Sequence, residues 1–155
     1  MPNFTRYTVN LVKEKTTRYD ITRVINNSSE MYHVATDVIG MDSFAEEYLY
    51  MLAFNMKLNL IGYFEVSHAV LDHTIAHPRE IYKRALLCNA SSVALLHNHT
   101  SGNPTPSQSD YDATTRVASA GRIIGVDLLD HIVVGDGIYV SIRETNPELF
   151  NAEQE

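Results

Sequence analysis

His97 and His99 stand one residue apart, and Ser107 and Asp110 follow across a loop holding Gly102, Pro104 and Pro106. An apolar run, Ser92-Val93-Ala94-Leu95-Leu96, leads straight into the first histidine. Side chains at i and i+2 of an extended segment leave the backbone on the same side. The two imidazoles are therefore offered together, and a stiff Gly/Pro reversal can bring Asp110 back to them at small entropic cost. Two imidazoles and a carboxylate make three corners of a tetrahedral zinc site. The fourth is left for water, as in a catalytic metal centre. A His-x-His pair alone is weak evidence, because most histidines are ordinary core or surface residues. The Ser-x-x-Asp that follows at the start of a helix makes coincidence much less plausible. Asp110 in a first helical turn would also suit the helix dipole with no metal at all.

Water activated by such a metal needs a base to take its proton. Glu46, Glu47, Glu65 and Glu80 lie upstream. Glu47 stands just before the most buried-looking strand, where a carboxylate can reach into a site. Glu46 and Glu47 read equally well as a solvated helix end, and composition does not choose between the two readings.

The chain carries 12 Lys and Arg against 19 Asp and Glu, a formal charge of −7. Nucleic-acid binders neutralise phosphates with clustered basic residues, so broad DNA binding is not expected. The single Cys88 excludes an internal disulfide, a multi-cysteine zinc site and the Pro-Cys-x-x-Cys of the zinc deaminases. No apolar run approaches a membrane span, and residues Met1 to Arg6 lack the features of a signal peptide. A cytoplasmic protein with no membrane partner is expected.

Positioning the site requires a sheet with helices around it. Tyr7 to Lys13 alternates as a strand would, and Arg18 to Thr22 leads into the polar cluster Asn26-Asn27-Ser28-Ser29. That cluster caps a helix expected from about Ser29 to Ile39, stopped by Gly40. Tyr48 to Phe54 reads as a strand buried on both faces. Asn55 to Asn59 forms a turn, and Leu60 to Val66 an antiparallel partner. His77-Pro78-Arg79-Glu80 opens a helix, with Ile81, Ala85, Leu86 and Ala90 at helical spacing. Ser92 to Leu96 is a central strand ending at His97. Ser107 caps a helix from about Gln108 to Ala120, closed by Gly121. Val126 to Val134 and Ile138 to Ile142 are strands joined by Gly135-Asp136-Gly137, and the tail from Thr145 to Glu155 looks frayed. The expectation is one α/β domain, residues 1–155, around a mixed sheet. An N-terminal strand extension would occupy about 1–28.

The spacing of these residues resembles the JAMM signature, His-x-His-x7-Ser-x-x-Asp with an upstream Glu, of the JAB/MPN+ metalloprotein superfamily. His77-Pro78-Arg79-Glu80, His97-Asn98-His99, Ser101-Gly102, Pro104-Thr105-Pro106-Ser107 and Asp130-His131-Ile132 resemble the RadC-like branch in particular, from about Tyr7 to Ser141. The resemblance implies an α+β MPN/JAB-like, cytidine-deaminase-like fold with helices flanking a mixed sheet. It also implies Zn2+ held by His97, His99 and Asp110. Ser107 would hydrogen-bond near the water or the oxyanion. Glu47-Tyr48-Leu49 fits the branch's Glu-x-Phe-like context, making Glu47 the base and Glu46 the fallback. Complete members hydrolyse peptide or isopeptide bonds, so a peptide or protein substrate is implied. Thr100 stands where the family pattern has proline, which loosens the loop and adds a hydroxyl. The helix-hairpin-helix region of longer RadC proteins has no room in 155 residues, which weakens an inherited role in DNA repair.

Asp130 and His131 lie in an apolar strand. They are read as structural, or as partners for the second nitrogen of a ligand imidazole. Cys88 reads as a small buried hydrophobe, and His33, His68 and His73 have no site-like spacing. Three functions compete: a zinc metallopeptidase or isopeptidase, a binding module that keeps the fold with little catalysis, and a nuclease or repair factor. The complete ligand set favours the first.

Overall fold

In the computed structural model, residues 5–16, 18, 25–68 and 76–151 are described. Among the described residues five strands form a single mixed sheet in the order β2-β1-β3-β4-β5. They are β1 (Tyr48–Phe54), β2 (Leu60–His68), β3 (Ser92–Asn98), β4 (Asp127–Val134) and β5 (Tyr139–Ser141). Only β3 and β4 run parallel. The other three pairings are antiparallel. Helix α3 (Gln108–Ile124) makes the β3-to-β4 crossover that a parallel pair demands.

The central strand explains where the chemistry sits. All seven residues of β3 are buried, because the sheet is covered on both faces. Met51, Val93, Leu95 and Val133 pack on one face with Ile81 and Ala85 of α2 (Pro78–Leu87) and Val117 of α3. Leu52, Phe54, Leu96 and Ile132 pack on the other with Met31 and Val34. Helix α1 (Ser28–His33) starts where Asn27 Oδ1 accepts from the Glu30 N–H and continues as a π-helical segment, Val34–Ile39. Gly40 ends it in the left-handed conformation, as its position predicts.

Several expectations need correction. Residues 5–16 have no regular structure and are exposed, with Tyr7 and Val12 each 84% accessible. Period-2 alternation makes a strand only where a ladder partner is available, and none of the five strands pairs with this segment. Of Arg18 to Thr22, all but Arg18 lie outside the described residues, as does His73.

Gly121 does not end α3. The helix runs on to Ile124 and stops at left-handed Gly125. Gly121 is needed because a Cβ there would collide with the Tyr82 hydroxyl and the Val126 carbonyl. Tyr82, whose hydroxyl donates to the Val117 carbonyl at 2.8 Å, thereby seats α2 against α3. Leu86, expected in the apolar stripe of α2, is 55% exposed. β1 is buried on both faces only from Met51 onward, since Tyr48 and Tyr50 are half-buried.

The described part of the tail, to Asn151, is not frayed. It forms α4 (Ile142–Thr145) and a 3-10 turn, Pro147–Phe150. Phe150 is buried under the Arg143 guanidinium, and its carbonyl accepts from Arg122 Nη1 at 3.0 Å. Among the described residues no helix is long and apolar enough to cross a membrane.

Candidate metal centre

The end of β3 delivers His97 to the sheet face covered by α3. Its ring is almost fully buried. His97 Nδ1 lies 3.1 Å from Asp110 Oδ1 on the first turn of α3, and His99 Nε2 lies 3.3 Å from Asp110 Oδ2. Strand β1 pairs with β3 so that Leu49 opposes His97. Glu47, two residues earlier, brings Oε2 to 3.7 Å from His97 Nε2.

The loop that carries His99 is locked onto the β4–β5 turn. The His99 N–H donates to the Val134 carbonyl at 2.9 Å, and the Asp136 N–H to the Gly102 carbonyl at 2.9 Å. Gly102 adopts φ 77°, which favours glycine. At Gly135 a Cβ would collide with the Gly102 carbonyl and Pro104. The His99 ring is fixed as well, with Nδ1 2.9 Å from the Asn103 carbonyl. A carbonyl only accepts, so Nδ1 carries the proton and Nε2 is the nitrogen turned to the cluster.

Asp110 is held by the capping box that starts α3. Its Oδ2 accepts from the Ser107 N–H and the Ser107 hydroxyl, both at 2.7 Å. The Asp110 N–H reaches Ser107 Oγ at 3.2 Å in return. Burial works to raise the Asp110 carboxyl, but hydrogen bonds from His97, His99 and Ser107 outweigh it and hold it far below the carboxylate range. Burial works equally against a charged His97, yet Asp110 and Glu47 lift its pKa above the ordinary value. His99 is raised by its Asp110 hydrogen bond in spite of burial. Glu47 is lowered, chiefly by His97 and in smaller part by the backbone N–H of Thr100.

These residues fit a metal ion. One donor atom from each of His97, His99 and Asp110 lies within 4.8 Å of the others. His97 Nε2 is buried without a hydrogen-bond partner, a costly condition in an interior that otherwise pairs its polar atoms. Two imidazoles and an ionised carboxylate are a donor set suited to zinc.

Of the glutamates considered, Glu47 alone ion-pairs with the cluster. Glu46 is exposed. Glu65 is exposed and bonds Tyr50 and His68. Glu80 pairs with Lys83 and Arg84 on α2. Asp130 accepts from the Ser141 hydroxyl and the N–H groups of His131 and Arg143, so it ties β4 to the start of α4. His131 bonds Thr114, not a ligand ring. Cys88 is only partly buried, and its Sγ contacts the Ala85 carbonyl at 3.4 Å. His33 and His68 pair with Asp37 and Glu65 on the surface.

Asn98 was missed as a site residue. Its side chain leaves the strand opposite to its two histidine neighbours and spans the peptide units that flank Glu47. Oδ1 accepts from the Tyr48 N–H at 2.7 Å, and Nδ2 donates to the Glu46 carbonyl at 2.9 Å. Its position between two same-facing histidines was the available signal, since an i+1 residue must face the other way.

The fold and cluster define a JAB-type domain, and comparison agrees. The chain belongs to the RadC-like JAB domain family, which matches residues 25–147. It is similar to a UPF0758 protein of Clostridium acetobutylicum, with 45% identity over 102 residues covering 66% of this chain and 44% of that protein. A UPF0758 protein of Desulfitobacterium hafniense is 36% identical over 121 residues, 78% of this chain and 52% of that one. A third, from Clostridium novyi, is 42% identical over 126 residues, 77% of this chain and 55% of its own length. The chain thus spans about half the length of these relatives.

Proposed function

We propose that this chain is a zinc-dependent hydrolase of JAMM type that cleaves peptide or isopeptide bonds. The observation that carries the reading is the convergence of His97, His99 and Asp110 donor atoms within 4.8 Å, with the Glu47 carboxylate 3.7 Å from His97. His97, His99 and Asp110 are the residues that would hold the ion. Bound zinc supplies Lewis-acid polarisation of a carbonyl and a lowered pKa for water.

Glu47 takes the proton of the attacking water and passes it to the leaving amine. Its side chain is 35% exposed, which leaves it open to water and substrate. Its lowered pKa keeps it ionised and ready to accept. Ser107 is assigned as donor to the developing oxyanion. To serve there its hydroxyl must turn from Asp110 Oδ2, which keeps its bond from the Ser107 N–H.

The test compares zinc-loaded wild type with Glu47→Gln on peptide and isopeptide substrates. The variant should bind zinc as wild type does, with hydrolysis lower by about 10²- to 10⁴-fold. Equal hydrolysis by zinc-loaded Glu47→Gln would remove Glu47 from the role. No hydrolysis by wild type would leave a binding module.

A further inference from the structure

The cluster described above leaves one buried histidine without a role. His131 on β4 and Thr114 on α3 are both essentially inaccessible to solvent. His131 Nδ1 lies 2.8 Å from Thr114 Oγ1, and Thr114 Oγ1 lies 2.7 Å from the carbonyl oxygen of Asp110. A carbonyl can only accept, and a threonine hydroxyl has one proton. The proton of Thr114 is therefore committed to Asp110, and the bond to His131 must be donated by His131 Nδ1–H. The chain of donors runs one way: His131 to Thr114 to the backbone of Asp110.

This arrangement joins the sheet to the one helical turn that supplies a ligand. First turns of helices lack intrahelical partners for their N–H groups and fray easily. The Asp110 side chain is already fixed by Ser107. Its main chain is fixed by Thr114, which His131 anchors to β4. The His131 and His97 ring centroids are 6.2 Å apart, so the anchor lies beside the cluster. A hydroxyl bonded back to the i−4 carbonyl gives a helix little by itself, which makes pure helix stabilisation a poor reason for a buried Thr-His pair here.

We propose that His131 and Thr114 are positioning residues for the metal-binding carboxylate of Asp110, acting through the Asp110 main chain. The inference rests on the reading of His97, His99 and Asp110 as a metal site, and it assigns no contact with substrate. Its consequence is that metal affinity depends on a hydroxyl that touches no metal.

The experiment measures Zn2+ affinity by chelator competition and the Co2+ absorption spectrum for wild type, Thr114→Val, Thr114→Ser and Val117→Ala. Val117 is a buried α3 residue that serves as the packing control. Thr114→Val should lose about tenfold or more in affinity and alter the Co2+ bands. Thr114→Ser, which keeps the hydroxyl, should restore both. Val117→Ala should lower Tm while leaving affinity and spectrum unchanged. Nitrogen NMR of the metal-free wild type should find His131 as the Nδ1–H tautomer.

Wild-type affinity in Thr114→Val, or an equal loss in Val117→Ala at matched loss of Tm, overturns the inference alone. So does the opposite His131 tautomer. Failure of wild type to take up metal overturns the metal reading and this inference with it.

Discussion

Asn98 Oδ1 accepts the Tyr48 N–H at 2.7 Å, so the residue between the two cluster histidines also holds the strand entry that carries Glu47. One tripeptide thus addresses both faces of the sheet, His97 towards α3 and Asn98 towards the Glu46 and Tyr48 peptides. Replacing Asn98 with Ala leaves the part-buried Tyr48 N–H and Glu46 carbonyl without this side chain, costing about 1 kcal/mol for each lost bond. Zinc stoichiometry should stay at the wild-type level while hydrolysis falls about 10²-fold, because the base is misplaced. Metal analysis beside steady-state kinetics checks this, and equal loss of zinc and activity would mean that Asn98 supports the ligands instead.

The metal-free protein should have an inverted pH response. His97 and His99 have folded pKa values raised above 6.5, so their contribution to stability is full below 6.5 and is lost as pH rises through the folded values. Asp110 is depressed below 3.8, so its contribution is present above 3.8 and is lost as pH falls through its folded value. Buried His131, whose pKa is lowered to about 3, works the other way only as pH rises to its unfolded value near 6.5. The Tm of chelator-treated protein should therefore fall on going from about pH 7 to pH 8.

Zinc must displace the same protons, so its affinity should rise over that interval by up to about tenfold per pH unit for each proton released. Calorimetry in buffers of different ionisation enthalpy counts them. Affinity independent of pH, with no proton release, would contradict this ionisation scheme.

Ser107→Ala removes a hydroxyl that both caps α3 and binds Asp110 Oδ2. Loss of the cap should cost about 1 kcal/mol in thermal or denaturant unfolding. Zinc affinity should fall about tenfold or more, since the ligand carboxylate loses an orienting donor. A stability loss with affinity intact would remove Ser107 from orienting the Asp110 carboxylate.

Thr100→Pro removes the backbone N–H that helps keep Glu47 low. Removing a donor to the ionised form raises the Glu47 pKa. The acid limb of the hydrolysis profile should shift to higher pH with zinc affinity unchanged, and carbon NMR of the Glu47 carboxyl in metal-free protein should report the same direction. An unmoved titration would show that the N–H contributes nothing.

The central strand, its two histidines and the capped helix with Asp110 were legible because each has a local cause. Alternation fixes facing, Ser107 fixes the helix start, and the Gly/Pro loop fixes the return. The Glu-x-Phe-like context implied by the resemblance favoured Glu47, which local pattern alone could not separate from Glu46. Gly121 misled because a glycine within a helix looks like a stop until Tyr82 is seen beside it. Residues 5–16 misled because alternation says nothing about whether a partner strand exists. Asn98 and Thr114 act across 50 residues and from helix to sheet, through contacts that no local window contains.

The central claim is that His97, His99 and Asp110 together hold one zinc ion. Elemental analysis of reconstituted wild type, His97→Ala, His99→Ala and Asp110→Ala, each verified as folded, tests it most directly. The account predicts one zinc per wild-type chain and none retained by any of the three variants. Wild type without stoichiometric zinc after reconstitution, or variants that retain it as tightly, would contradict the account.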